Sequence, residues 1–589
     1  MTTNKLNPLN PSIMKKYTLL LFIILTGCTA TTTTNEKVNK LADQYVEGFF
    51  TAFPEQAAMW GAPDLHPAKL SDPSLTSLQQ WHETENRLLD ELNAIERDAL
   101  NGSAERITYG FLRELLEASI GVRSCRMELW KVSPTYTGWQ NMLPFAFSSL
   151  PVETVEQRDN LYRRLSQLPR YIRSETDNLK EGIRLGYTAP RTGVEAVIGQ
   201  MNALLGTAAD ESPFASFGKQ DFPEFHERLT ALVESEINPA IAEYRDYLQN
   251  EYLPVARTEV GVDALPDGEA CYRASTRLHI TTIITPEEIH QMGLDQLEII
   301  RQQLSEIGER SFGTSDPSEV LRIVKDDPQY RFTSREEIVR MAEETVERAE
   351  AELPNWFGFV PDMKVEVVPY PSFQEKNAPL GQAIPPSRDG KRPGQYIINT
   401  YQPETQSKSF IESLSIHEAH PGHLFQVYVS QAGAETHPIT SYFFLSGFGE
   451  GWALYTERLA EEMGLYTSDV SRVGWLASEA TRSARLVVDS GMHALGWTRQ
   501  ESIDYLAQHT ILTPNQTVAE TDRYIATPGQ ASSYMVGALE IMALRSEAEQ
   551  ALGDAFDIRA FHDLVLEDGT IPLVILREKV EGWIDGEKL

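Results

Sequence analysis

The passage Ser415-Ile416-His417-Glu418-Ala419-His420-Pro421-Gly422-His423 places three histidines and a glutamate within seven positions. Packing alone does not require such a density. A zinc hydrolase needs two neutral imidazoles, a third ligand, an open position for water and a nearby carboxylate to take the water's proton. The usual helical form is His-Glu-x-x-His, where the i and i+4 imidazoles point the same way. Here Pro421 occupies i+4, so that pattern fails. On a regular helix, at about 100° per residue, His417 and His423 would lie about 120° apart, a poor arrangement for sharing one ion. Pro421 cannot donate the helical hydrogen bond and Gly422 permits unusual dihedrals, so a widened turn is expected to swing His423 back toward His417. The competing pair is His417 with His420, which leaves His423 outside the ligand set. Downstream, Gly449-Glu450-Gly451-Trp452-Ala453-Leu454-Tyr455-Thr456-Glu457 carries two glutamates seven residues apart, hence on one helical face. One could ligate zinc (Zn2+) while the other fixes the tautomer of a ligating histidine. Such pairs are ordinarily solvated helix charges, but the flanking glycines and Trp452 suggest a buried helix with close backbone approach.

The elements that must position these residues are mainly helices. Segments 36–53, 75–100, 107–129, 155–185, 222–249 and 286–307 repeat apolar residues every three or four positions. Thr285-Pro286-Glu287-Glu288 reads as a cap, a first-turn proline and two acids that complement a helix start. Between 361 and 403 the pattern changes. Residues 363–368 alternate apolar and polar, 395–400 read as a second strand, and the Gly- and Pro-rich stretch 378–394 separates them, which suggests a small inserted sheet. Helices resume at 409–431, 449–462, 469–495 and 499–508. At 589 residues the chain exceeds the size at which one core stops growing, so two lobes are expected.

Three segments, His417 to His423, Glu450 to Glu457 and Arg523-Tyr524-Ile525-Ala526-Thr527-Pro528-Gly529-Gln530, resemble the signatures of the bacterial "domain of unknown function 885" family, grouped with gluzincin-like metallopeptidases. The resemblance runs from about residue 36 to the C-terminus. Its first motif has the form His-Glu-Ala-x-Pro-Gly-His with a variable fourth position, which favours His417 and His423, with Glu450, as metal ligands over His420. It implies a large helical, clam-shaped peptidase body with a deep channel over 36–589, with the β insert at 361–403 and the metal site at 417–457. In that picture zinc polarises the scissile carbonyl and a water, Glu418 shuttles the proton to the leaving amine, and the strand at 395–400 holds the peptide by edge pairing. Tyr524, Tyr534 and His493 are candidates to donate to the developing oxyanion, and Arg523 to bind an oxyanion or a substrate carboxylate. Tyr534 and Arg523 stand ahead of the others. His279, His290, His437, His509 and His562 lack ligand spacing and read as structural.

The N-terminus bears on compartment. The apolar run 17–25 follows Lys15 and Lys16 and ends at Leu25-Thr26-Gly27-Cys28. It is too short to span a bilayer and has the shape of a secretory signal, 1–27, whether translation starts at Met1 or Met14. Leu-Thr-Gly-Cys resembles the bacterial lipobox, so Cys28 is expected to be lipidated and 28–35 to be a tether. Thr29 then suggests the outer membrane, facing the periplasm. Of the remaining cysteines, Cys125 and Cys271 are expected to be two separate buried thiols, although an oxidising compartment would allow them to pair. The net charge of −33 argues against nucleic acid and anionic lipid. No Gly-x-Ser-x-Gly elbow or phosphate-cradling loop is present. The expectation is a zinc-dependent hydrolase of short unfolded peptides. The alternatives are a non-catalytic binding lipoprotein on the same fold and a hydrolase of another amide or an ester.

Overall fold

The computed structural model describes residues 33–587 apart from 61, 101, 102, 149, 373, 374, 388, 389, 391, 434 and 435. The signal 1–27, Cys28 and most of the tether fall outside the described residues. Helices dominate the chain, and their starts follow from side-chain chemistry. Thr33 accepts from the Glu36 amide at 3.2 Å while the Glu36 carboxylate accepts from the Thr33 amide at 2.7 Å. Thr285 and Glu288 repeat this reciprocal cap. In both cases two amides that a helix start leaves unpaired are satisfied by one local pair.

Two cores organise the molecule. One draws on residues from Val260 to Ile584, the other on residues from Leu70 to Ala256. Helix α1 (Glu105–Val122), whose buried face joins a smaller third cluster, and α2 (Gly268–Ile280) flank the segment that builds most of the second core. Where the chain enters and leaves this segment, Cys125 and Cys271 form a disulfide, so the expectation of two separate thiols is corrected. The chain between them, a sequence separation of 146, folds back on itself, which makes the end of α1 and the start of α2 neighbours, a proximity that sequence separation hides. Closing a loop of that length restricts the unfolded chain by about 5 kcal/mol.

Helices α3 (Pro286–Ile307) and α4 (Arg335–Trp356) precede the sheet. Its strands are β1 (Val365–Pro369), β2 (Gly381–Ile384) and β3 (Gly394–Ile398), in the order β1-β3-β2. β1 runs parallel to β3 and β2 antiparallel to it. This corrects the expectation for 395–400. β3 is the central strand with both sides paired, so it has no edge to offer a peptide. The edge strands are β1 and β2, and β2 lies inside the stretch read as a Gly- and Pro-rich connection. Gly-Gln-Ala-Ile contains weak strand formers and no alternation long enough to register. Beyond the sheet come α5 (Ser409–Glu418), α6 (His423–Gly433), α7 (Ser446–Glu462), α8 (Asp469–Ala494), α9 (Pro514–Ala526) and α10 (Ser533–Leu552).

Candidate metal centre

The first motif stops one helix and starts another. Ala419 still donates to the Ser415 carbonyl at 2.9 Å, but Pro421 has no N–H to continue the series. Gly422 reaches back to the Ile416 carbonyl at 3.0 Å, and α6 begins at His423. A Cβ at Gly422 would lie 1.9 Å from the His417 carbonyl oxygen, so only glycine fits this approach. The expected single helix 409–431 with a widened turn is thus replaced by a full break, because proline and glycine together leave no helical bond to widen. The indole N–H of Trp452 donates to the Pro421 carbonyl at 2.9 Å and pins the break against α7. The rings of His417 and His423 then stand 4.8 Å apart and nearly perpendicular.

Helix α7 brings the carboxylates. It lies close to α10 because Gly451 meets Gly537, where a Cβ on either glycine would come within 3 Å of the partner backbone. Glu450 Oε2 is 3.7 Å from His417 Nε2 and 3.5 Å from His423 Nε2. Donor atoms bonded at about 2.0–2.1 Å to a tetrahedral ion lie about 3.3–3.4 Å apart, so this set fits zinc. Among the described residues it is the one group of three His, Cys, Asp or Glu side chains whose ligand atoms converge in this way. Glu457 Oε1 holds His417 Nδ1 at 2.8 Å, which makes Nδ1 the donor and leaves the Nε2 lone pair free. Glu457 is held in turn by the Ser413 hydroxyl. Without a cation the cluster retains a proton. Burial opposes charge on His417, but the carboxylates of Glu450 and Glu457 beside it outweigh burial and push it up to about 9. Burial likewise opposes ionisation of Glu450, yet His417 and His423 hold it well below the usual carboxylate range. A divalent ion would displace that proton.

Comparison with known proteins agrees with the sequence motifs at the level of family. The model described as "Bacterial protein of unknown function (DUF885)" matches residues 54–580. The chain belongs to this family. A crystal structure from Colwellia psychrerythraea, described as a candidate lipoprotein, is 25% identical with a TM-score of 0.85, covering 94% of this chain and 100% of that one. A second, from Shewanella oneidensis, described as a candidate lipoprotein of unknown function, is 17% identical with a TM-score of 0.74, covering 92% and 99%. No curated protein resembles the chain closely enough to count as a relative.

The other candidates of this DUF885 member separate into those at the site and those in the core. Glu418 follows His417 at the end of α5, half-buried, and its charge acts on the hydroxyls of Tyr370 and Tyr396. His420 is fully buried, packs edge-on against Phe425 and has an unpartnered Nδ1, so the pair His417 with His420 is not brought together. His493 and Tyr524 belong to the core. His493 Nδ1 accepts from the Val262 amide at 3.2 Å, so its Nε2 donates to the Tyr524 carbonyl at 3.1 Å, and neither nitrogen is free for an oxyanion. The Tyr524 hydroxyl is spent on Glu520 at 2.5 Å and Arg485 at 3.0 Å. Tyr534 is near the centre. Burial first and then the charge of Glu450 push its hydroxyl upward, so it stays protonated. Arg523 pairs with Glu520 at 2.9 Å and Gln530 at 2.6 Å.

Four residues at the site were not singled out from sequence. Arg485 lies with its guanidinium carbon 4.6 Å from the Tyr534 ring centroid, and Arg482 at 6.0 Å. Their signal is legible in retrospect, since two arginines at i and i+3 interrupt a run of small and apolar residues, 480–488, in α8. Gln530 sits inside the third motif. Tyr136, from the second core's part of the chain, has a hydroxyl acted on by Arg523 and Glu450, and nothing in its sequence context marks it.

Proposed function

We propose that this chain is a zinc peptidase of the gluzincin-like kind, with a clam-shaped body, that cleaves short unfolded peptides at the bacterial cell envelope. One observation carries the reading: His417 Nε2, His423 Nε2 and Glu450 Oε2 converge while Glu457 fixes the His417 tautomer. Bound zinc would supply Lewis acidity to a carbonyl oxygen and to an attacking water. The chain's residues do the rest. No hydrogen bond or ion pair among the described residues engages the Glu418 carboxylate, which leaves it able to take the water's proton and pass it to the leaving amine. Tyr534, kept protonated by burial, donates to the developing oxyanion. The edge of β2, which packs against Leu414 of α5, takes the role first expected of β3 and holds the substrate extended.

The envelope assignment rests on the Leu-Thr-Gly-Cys lipobox at Cys28, the lipoprotein description of both similar structures and the Cys125–Cys271 disulfide, which suits an oxidising compartment. No described helix is long and apolar enough to cross a membrane, so the lipid on Cys28, in the outer membrane and facing the periplasm, would be the attachment. The test is metal content of protein starting after Cys28, beside its Glu418→Gln variant, with both given a mixed peptide library read by mass spectrometry. About one zinc per chain with cleavage only by the unmodified protein is expected. Zinc without cleavage would redirect the reading to another amide or an ester, and absence of bound metal would redirect it to a binding lipoprotein.

A further inference from the structure

Between the short helix Ile439–Tyr442 and α7 the chain runs extended, with Phe443 at φ −109°, ψ 112° and Leu445 at φ −86°, ψ 105°. Successive side chains of an extended segment point to opposite sides. Phe443 and Leu445 point inward and are buried in the third cluster. There the Phe443 ring lies 5.1 Å from those of Phe49 and Trp60 and 5.5 Å from that of Tyr45. Phe444, set between two anchored neighbours, is thereby turned the other way, and it is 53% exposed.

That other way leads to the metal centre. The Phe444 ring lies 6.3 Å from that of His423 and crosses it at 64°. It also rests on the bare backbone of Gly449, the residue before Glu450. A Cβ at Gly449 would come within 2.3 Å of Phe444 Cε2 and 2.4 Å of Cζ, so any other residue there would push the ring off α7. Two of the three candidate ligands, His423 and Glu450, therefore border the seat of one aromatic ring whose remaining surface is open. Exposed apolar side chains are ordinary on protein surfaces, so exposure alone carries nothing. Here the backbone aims the ring, a glycine makes room for it, and the ligands adjoin it. A phenyl ring has no hydrogen bond to give, so what it recognises is apolar surface and, best, another ring.

We propose that Phe444 determines specificity: its ring is the wall against which an aromatic or other large apolar side chain of the substrate packs. The chain advances about 3.5 Å per residue at most, so a side chain seated here belongs to a residue within one or two of a carbonyl held at the ion. The inference rests on the peptidase reading for the nature of its substrate. The probes are alanine hexapeptides, N-acetylated and C-amidated, either all alanine or with phenylalanine at the third or fourth position. Calorimetry on the Glu418→Gln protein in zinc-containing buffer reads binding without turnover. Expected is about tenfold tighter binding of a phenylalanine peptide, the worth of an aromatic pair with the area it covers. Adding Phe444→Ala should erase that preference with zinc content and Tm unchanged, and Phe444→Tyr, which keeps the ring, should retain it. If the ring served only to hold its segment on α7, Phe444→Ala would lower zinc content or weaken all the peptides alike, and the proposal would fall. Equal affinity for the alanine and phenylalanine peptides before any change at 444 overturns it too. Phenylalanine-selective binding with no cleavage of any peptide by the unmodified protein would leave the role of Phe444 standing and sink the peptidase reading instead. Cleavage of the mixed library with no preference for apolar residues near the cut would do the reverse.

Discussion

Among the described residues, two buried histidine–carboxylate clusters differ in one respect. In the first, His417 on α5 leans on Glu457 of α7 through Nδ1 and turns Nε2 toward His423 and Glu450. In the second, His493 on α8 lies 4.0 Å from Asp489, whose Oδ2 accepts from Tyr272 at 2.8 Å and from the Gly529 amide at 3.0 Å. Burial does not separate them, since both histidines are nearly inaccessible. Saturation does. Both nitrogens of His493 are consumed by backbone groups, so the ring works as a strut between the Val262 and Tyr524 segments. His417 keeps one nitrogen in reserve beside two other potential ligands. A chemically capable residue becomes a site only where the fold leaves part of it unspent.

The comparison breaks most readily at the metal. His417→Ala, His423→Ala or Glu450→Ala should each take zinc from about one per chain to near zero and abolish turnover, while His493→Ala should leave zinc in place. Atomic absorption decides it, and zinc retained by His423→Ala but lost by His420→Ala would restore the rejected ligand pair. Next in size, Glu418→Gln should keep zinc and lower kcat by about 10²–10⁴, the usual worth of a positioned general base. A variant with near-normal kcat would remove Glu418 from the mechanism. Glu457→Gln removes the tautomer clamp without touching a ligand atom, and zinc affinity should fall about 10- to 100-fold by competition with a chelator. An unchanged affinity would make Glu457 a packing residue like its counterpart Asp489. In the other cluster, His493→Ala should cost about 2–4 kcal/mol in urea unfolding through a cavity and two stranded backbone groups. A loss confined to activity would mean the second cluster is no mere strut.

These contrasts show where the sequence was informative. His417, Glu418, Glu450 and Glu457 could be singled out from residue type within two short motifs, whereas the choice of His423 over His420 came from the family resemblance and not from spacing. The periodic helices were legible from local pattern, including the helix start at Thr285, although the reciprocal bond from Glu288 was not. Nonlocal outcomes were hidden. His493 and Tyr524 looked as chemically able as Tyr534 until packing fed their polar atoms to Val262, Glu520 and Arg485. The Cys125–Cys271 bond depends on where the chain returns across a sequence separation of 146, and the rank of β3 in the sheet depends on β2, whose four residues carry no strand pattern. Tyr136 reaches the site from far along the chain, which no local spacing could announce.

The smallest expected effect sharpens the comparison in the metal-free protein, through pH. Against its burial, the neighbouring carboxylates of Glu450 and Glu457 hold His417 at about 9, above the value near 6.5 of an unfolded histidine. Its contribution to stability is therefore fully present below pH 6.5 and is lost as pH rises through 9. His493 behaves oppositely, since burial lowers it to about 4 and stability is lost as pH falls from 6.5 toward 4. Burial also raises Asp489 from 3.8 to about 7, so that group stabilises at low pH and its contribution is lost as pH rises from 3.8 to 7. Between pH 4 and 6.5 the second pair thus holds one proton in both states, on Asp489 when folded and on His493 when unfolded, and its pH slopes cancel. The stability difference between metal-free protein and its His417→Gln variant should shrink by on the order of 2–3 kcal/mol from pH 6 to pH 10. The difference for His493→Gln combined with Asp489→Asn should stay flat from pH 4 to 6.5. Urea midpoints across pH measure both. A steep slope for the double variant would mean that Asp489 is ionised in the folded protein, and that the two clusters are more alike than their hydrogen bonds imply.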